Sequence, residues 1–262
     1  MTILFYLAVS FLASVVGGIC GIGGSVIIKP VLDAANIASV STVSFLSGCT
    51  VLSMSCYSVG KALSAGDSLV DFKTGTPLAI GAAIGGIGGK NLFNILHAMA
   101  ANPERVGGYQ AICLAGITAA TLVYTLFESR IHTHQVRNPI ACSTIGLVLG
   151  LISSFLGIGG GPINVVVLYY FFSMSTKTAA QNSLYIILIS QITSLLTTLS
   201  TRGVPEFQFH WLVTMVVGGI LGGMVGRKVN KKLQEQHVKV LFKYLICVIV
   251  GISCYNAVRF LK

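Results

Sequence analysis

Two short glycine runs carry the chemistry this sequence can offer: Gly157-Ile158-Gly159-Gly160-Gly161-Pro162 and Gly21-Ile22-Gly23-Gly24-Ser25. Each interrupts a long apolar stretch, from about Ile140 to Phe172 and from Ile3 to Ile28. Glycine weakens a helix, and backbone groups freed inside lipid find no water to bond. Irregular backbone persists at membrane depth only where protein buries it or where it lines a cavity. Pro162 has no N–H to donate and fits the first turn of a helix. The pattern predicts a helix ending near Gly157, an unwound turn, and a second helix starting near Pro162. The start of such a helix offers free N–H groups and a partial positive charge, a place for an anion. Close helix packing through small residues explains glycines spaced by three or four, but explains three in a row before a proline less well.

Side chains near the turns could complete an oxyanion site. Lys29 lies about one turn beyond Gly24 and Ser25; it either neutralises the anion, pairs with Asp33 at i+4, or snorkels to headgroups. Asn164 sits just inside the second broken segment. Asn182, Ser183 and Gln191 add polar groups on the next apolar stretch, and Ser47 matches Ser183 at an offset of 136 residues. An interhelical hydrogen bond is the alternative for each, and is favoured for Gln191. The expected substrate-contact set is Gly23, Gly24, Ser25, Lys29, Ser47, Gly159, Gly160, Gly161, Asn164, Asn182 and Ser183. The carboxylates Asp33, Asp67, Asp71, Glu104, Glu128, Glu206 and Glu235 sit in loops or near span ends. No acidic proton relay crosses the membrane, and no nucleotide-binding P-loop is present. Transport is therefore expected to be passive or linked to the substrate's own protonation.

The segments holding these groups are membrane spans. The chain is 54% hydrophobic and 9% charged, where a soluble domain carries about 25% charged residues. The net charge of +10 falls mostly between apolar runs. That fits loops facing anionic headgroups and not a nucleic-acid surface. The seven cysteines lie in apolar runs without a CxxC pair, so neither a disulfide framework nor a zinc site is expected. Histidines His97, His132, His134 and His210 read as surface residues, because His132 and His134 lack further ligands nearby in sequence. No cofactor or metal is expected. The N-terminus lacks a basic n-region and reads as a retained span.

The expected spans are Ile3–Cys20 with Ser25–Ile37 across the turn, Val40–Tyr57, Leu78–Leu96, Gly107–Phe127, Ile140–Leu156 with Pro162–Ser173, Thr178–Leu199, Trp211–Val225 and Val238–Val258. Between them lie a polar loop Gly60–Thr76, a loop with Lys90 at its near edge and Arg105 inside it, a linker Glu128–Asn138, a short loop with Arg202 and Glu206, and a basic loop Arg227–His237. Gly21-Ile22-Gly23-Gly24 aligns with Gly157-Ile158-Gly159-Gly160, and the run from Gly85 to Lys90 aligns with that from Gly222 to Arg227, at offsets of 136 and 137. The fold class is therefore an all-α polytopic membrane protein of two homologous halves, residues 1–130 and 131–262, with about four spanning helices each, each half beginning with a Gly-broken helix. A cytoplasmic Lys228–Lys232 loop, counted span by span, places Lys61–Lys73, the Glu128–Asn138 linker and the C-terminus outside. Parallel and inverted repeats both stay open.

The repeated GIGG turn, the run SLYIILISQITSLL and the GGxxGRK end resemble the sulfite exporter TauE/SafE family over essentially the whole chain. The first half departs from the pattern, with Ser25 opposite Gly161 and Val26 opposite Pro162, so its turn is expected to unwind less or its helix to begin later. The resemblance implies a secondary transporter, an exporter or permease for a small sulfur-containing anion such as sulfite or a sulfonate, with no covalent chemistry. The location it implies is the cell membrane, multi-pass, of the bacterial inner or plasma-membrane kind. The partners are a small anionic substrate and membrane lipids, with a homodimer left open and no nucleic acid. An anion channel, or a carrier for a small carboxylate, is the alternative. An intramembrane enzyme with Cys20 as nucleophile is a third reading, testable by Cys20→Ser.

Overall fold

A computed structural model describes residues 2–99, 103–201 and 203–261; Arg202 and the side chains of His97, Glu104 and Arg105 lie outside the described residues. Among the described residues ten α-helices follow in order: α1 Thr2–Cys20, α2 Ser25–Ala35, α3 Val40–Ser64, α4 Phe72–Met99, α5 Pro103–Phe127, α6 Pro139–Phe155, α7 Pro162–Phe172, α8 Thr176–Ser200, α9 Phe209–Lys232 and α10 Glu235–Leu261. A 3-10 turn, Glu128–Arg130, follows α5, and the described residues contain no strand. Helices α1, α3, α5, α8, α9 and α10 are long and apolar enough to cross a membrane. The protein is a multi-pass helical membrane protein.

Local signals account for many helix ends. The Ser39 side chain caps α3 by accepting the Thr42 amide at 3.2 Å. Asn138 caps α6 by accepting the Ile140 amide at 2.9 Å, with Pro139 in the first turn. Both short helices end on a left-handed residue, Asn36 at φ 54° and Ser173 at φ 49°. Several helices outrun the apolar windows that announce them. Helix α3 continues to Ser64 and α4 begins at Phe72, so the loop expected over Gly60–Thr76 shrinks to residues 65–71. The stretch expected as a basic loop, Arg227–His237, is largely the end of α9, which runs to Lys232. Apolarity stops where a helix leaves lipid, but helical hydrogen bonding does not need to stop there.

Glycine faces set the packing. Along α9, a Cβ on Gly218 would meet Leu7 and Ser10 of α1, one on Gly222 would meet Phe11 and Ser14, and one on Gly226 would meet Val15 and Gly18. Residue numbers rise together, so α1 and α9 run parallel with their backbones in near contact. Helices α4 and α6 repeat the arrangement: Gly81 sits against Ser143, Gly85 against Leu147 and Gly89 against Leu151, while Gly146 and Gly150 sit against Leu78 and Ala82. A methyl group at these positions would strike carbonyl backbone. Such close approach stabilises helix pairs in lipid through dispersion contacts.

Following these contacts orders the bundle between two ends. The ring of Tyr6 in α1 packs on Trp211 at the start of α9, with centroids 5.2 Å apart. A Cβ on Gly107, near the start of α5, would touch Val40 at the start of α3 and Phe260 at the close of α10. These residues form one end, the termini end. At the other end, the linker end, Asp67 is paired with Arg227 and Lys231 of α9, and Glu128 is paired with Lys239 of α10. The loop 65–71 and the Glu128–Asn138 linker therefore share an end with the Lys228–Lys232 stretch. This corrects the expectation that they lie opposite it. That expectation treated each glycine turn as a point within one crossing. Instead α1 travels towards the linker end, where the Asn230 side chain donates to the Ile19 carbonyl at 2.6 Å. Helix α2 returns towards the termini end, where Arg259 reaches the Ala34 carbonyl and Ile28 and Leu32 cluster with Tyr6 and Met215. Exposed side chains such as Leu12, Ile84, Ile112, Leu196 and Val248 form the outer face of the bundle.

Candidate functional site

The chain leaves the helix at residues 21–24 and again at 156–161, and the two interruptions meet inside the bundle. Gly21 and Gly23 take positive φ in the first, at 74° and 70°; Gly157 and Gly159 do so in the second, at 67° and 61°. The Ser25 hydroxyl donates to the Ile158 carbonyl, tying the start of α2 to the second turn. Gly23 and Gly160 both back onto Ile187 of α8, and Gly161 backs onto Val26. Helix α2 starts at Ser25 and not later in the chain.

The turns offer fewer backbone donors than their composition implies. The Gly157 amide donates to the Ser154 carbonyl at 3.1 Å, and those of Ile158 and Gly159 donate to Ser153 at 3.1 and 3.3 Å. In the first turn Gly21 and Ile22 both donate to Gly17, at 2.9 and 3.2 Å. What the second turn provides instead is room. A cavity of about 80 Å³ opens against Gly157 and Gly159 towards the termini end. Its walls include Ser44, Lys90, Gln110, Ser154, Gln191 and Thr198. A Cβ on Gly159 would overlap the Gln191 amide nitrogen, and one on Gly157 would lie 2.6 Å from the Ser44 hydroxyl. The missing side chains let these donors crowd the turn.

Lys90 supplies the positive charge. It extends from α4, is half-buried, and donates to the Thr198 hydroxyl of α8. Among the described residues it has no carboxylate partner. The Ser44 hydroxyl is shielded from solvent and has no hydrogen-bond partner among the described residues, nor does Gln110 Oε1, whose amide nitrogen donates to the Phe155 carbonyl at 2.5 Å. A half-buried ammonium with amide and hydroxyl donors around a cavity large enough for several waters fits a small anion. Two larger clefts, of about 360 and 400 Å³, flank the 128–138 linker. Their linings carry both signs: Glu128, Glu235 and Lys239 in one, Asp71 and Arg137 in the other.

The sulfite exporter TauE/SafE family model matches residues 6–253. The chain belongs to the TauE/SafE family. Neither the curated proteins nor the solved structures compared with it include a match. A TauE/SafE chain is a membrane transporter.

Within this TauE/SafE bundle the expected site residues divide. Gly159 lines the cavity. Gly23, Gly24, Ser25, Gly160 and Gly161 are buried at the crossing of the turns but do not border the cavity. Asn164 is buried beside Gly160, and its Oδ1 has no partner among the described residues. Lys29 is paired with Asp33 at 2.9 Å, both buried, and its aliphatic stem packs beside Gly157. Ser47 donates to the Ser44 carbonyl at 3.1 Å. Ser183 is buried on α8 without a partner among the described residues. Asn182 is fully engaged: it donates to Leu69 and Thr178 carbonyls at 3.0 and 2.8 Å and accepts the Asp71 amide at 3.0 Å. Its position pins the 65–71 loop to α8.

Sequence reasoning missed Lys90 and set Gln191 aside as a packing residue. The signal for Lys90 was available: it ends the Gly-rich run that aligns with Gly222–Arg227, a cation held at the same place in both stretches. Cys20 is buried among Ile19, Ile22 and Val26, surroundings that suit an inert thiol.

Proposed function

We propose that this chain is a secondary transporter for a small sulfur-containing anion such as sulfite or a sulfonate, and that the anion binds in the cavity beneath Lys90. The observation that carries this reading is an ammonium group held in a cavity with the Ser44 hydroxyl and the Gln191 amide, against a turn that only glycine can form. The anion accepts hydrogen bonds from Lys90, Gln191 and Ser44, and its charge offsets that of Lys90 in a setting of low dielectric. Ser25 and Lys29 hold the turn from behind, and Asn164 steadies Gly160. No covalent step is needed.

We further read the chain as two repeats of opposite orientation. Helices α2 and α7 have 11 residues each, and α3 and α8 have 25 each. The partnership of α1 with α9 is mirrored by that of α6 with α4. Each set of five helices starts at one end of the bundle and finishes at the other. Repeats of this kind support alternate opening of a central site to the two sides of a membrane. Lys61, Lys73, Arg130, Arg137, Lys177, Arg227, Lys228, Lys231 and Lys232 gather at the linker end, which favours a cytoplasmic location for it in the cell membrane.

The test is counterflow of radiolabelled sulfite in proteoliposomes. Saturable counterflow, lost in Lys90→Ala, supports the proposal. Currents far above carrier turnover would replace it with an anion channel, and counterflow driven by small carboxylates but not by sulfite would reassign the substrate.

A further inference from the structure

A second cavity, of about 30 Å³, lies at the linker end between α3, α8 and α9. Each of the nine residues lining it stands 136 or 137 positions from a residue lining the first cavity. Arg227 corresponds to Lys90, Ser58 to Ser194, Ala180 to Ser44, and Lys231 to Asn94. The correspondence extends to a residue beside each cavity. The first is bordered by Gly203. The residue 136 positions before it is Asp67, whose carboxylate is paired with both Arg227 and Lys231. Ser58, only 5% exposed, faces this cavity with no hydrogen-bond partner among the described residues.

We propose that the linker-end cavity is a second binding site for the transported anion, and that the Asp67 carboxylate, held by two of the cavity's cations, acts as an internal stand-in for it. This rests on the reading of the first cavity as an anion site. The electrostatics agree at both ends. Lys90 gives the first cavity one positive charge, while Arg227, Lys231 and Asp67 together give the second the same net charge. Withdrawing the carboxylate leaves two cations and the Ser58 hydroxyl facing a small space that Gln181 and Asn230 also border. An anion arriving there competes with Asp67 for the same donors, so the ion pairs act as a latch that the substrate itself can displace. The matching position at the termini end carries no carboxylate, which leaves Lys90 available.

Equilibrium binding of radiolabelled sulfite to the purified full-length protein tests this, with size-exclusion and melting profiles to verify folding. In a Lys90→Ala background, adding Asp67→Asn should restore bound sulfite, and adding Arg227→Ala to that pair should remove it again. The reciprocal variant Gly203→Asp places a carboxylate at the mouth of the first cavity, where a Cβ meets Thr201 Oγ1 at 3.3 Å and no other side chain within 4 Å among the described residues beyond its chain neighbours. It should abolish Lys90-dependent binding and does not rely on Asp67→Asn folding. A folded Asp67→Asn/Lys90→Ala protein that binds no more sulfite than Lys90→Ala overturns the second site. If Asp67→Asn does not fold, a Gly203→Asp protein that binds like wild type overturns it. Failure of the first site reads differently: Lys90→Ala alone would then bind sulfite as wild type does. In that event Asp67→Asn on the wild-type chain must still raise the number of sulfites bound per chain, in a manner abolished by Arg227→Ala, or the second site fails as well.

Discussion

Lys29 and Lys90 both lie inside helices, yet they meet an approaching anion differently. The ammonium of Lys29 is 2.9 Å from the Asp33 carboxylate, so the pair is neutral from outside. Lys90 is held by a hydroxyl, and no carboxylate among the described residues neutralises it. Lys90→Ala should therefore lower sulfite affinity by about 10–100-fold, the loss of a charge-assisted hydrogen bond worth about 1.5–3 kcal/mol. Lys90→Arg should retain part of it. Binding titrations check both, and undiminished affinity in Lys90→Ala would exclude this lysine from the site. Lys29→Ala should act on stability instead, since stranding a buried Asp33 costs about 3–5 kcal/mol. A Lys29→Met/Asp33→Leu double variant should recover most of the lost melting temperature. Gly159→Ala should depress binding together with stability, because the added methyl displaces the Gln191 amide and the residue sits at positive φ.

At the scale of helices, the glycine faces of α4 and α9 bring whole backbones together. Gly85→Val and Gly222→Val should each destabilise the bundle by about 1–3 kcal/mol or more, by forcing apart α4 from α6 or α1 from α9. Gly88→Val, at a position with open space around it, is the control that should melt like wild type apart from its propensity cost. How much of this was legible in the sequence follows from the signals used. The segments themselves, their glycine interruptions and the pairing of GIGG with GIGG could be read directly, because glycine and apolarity leave strong local marks. The charged ends of helices could not: Arg227 and Lys231 read as loop because an apolar window closes at the first cation. The direction of α2 was equally hidden. A turn of four residues carries no local mark saying whether the chain goes on or doubles back; that depends on Asn256 and Arg259, which grip Pro30 and Ala34 from more than two hundred residues away. The cavity went unseen for a related reason, since Ser44, Lys90 and Gln191 belong to three different helices.

At the scale of the molecule, the arrangement of the helices makes a prediction about sidedness. Single cysteines at Ser68 and Val204, introduced after replacing the seven native ones, should react with membrane-impermeant maleimide from opposite faces of sealed vesicles. Labelling from one face would contradict the proposed antiparallel halves. The interlocking of the helices reaches further. Because α1 needs α9 and α6 needs α4, neither proposed half can satisfy its glycine faces by itself, and the chain between Glu128 and Asn138 joins them while its His134 and Val136 amides donate to the end of α7. A protein cut within that tether should still assemble when both fragments are made in one cell, each threaded into the bilayer with the orientation opposite to the other, whereas either fragment made alone should be degraded.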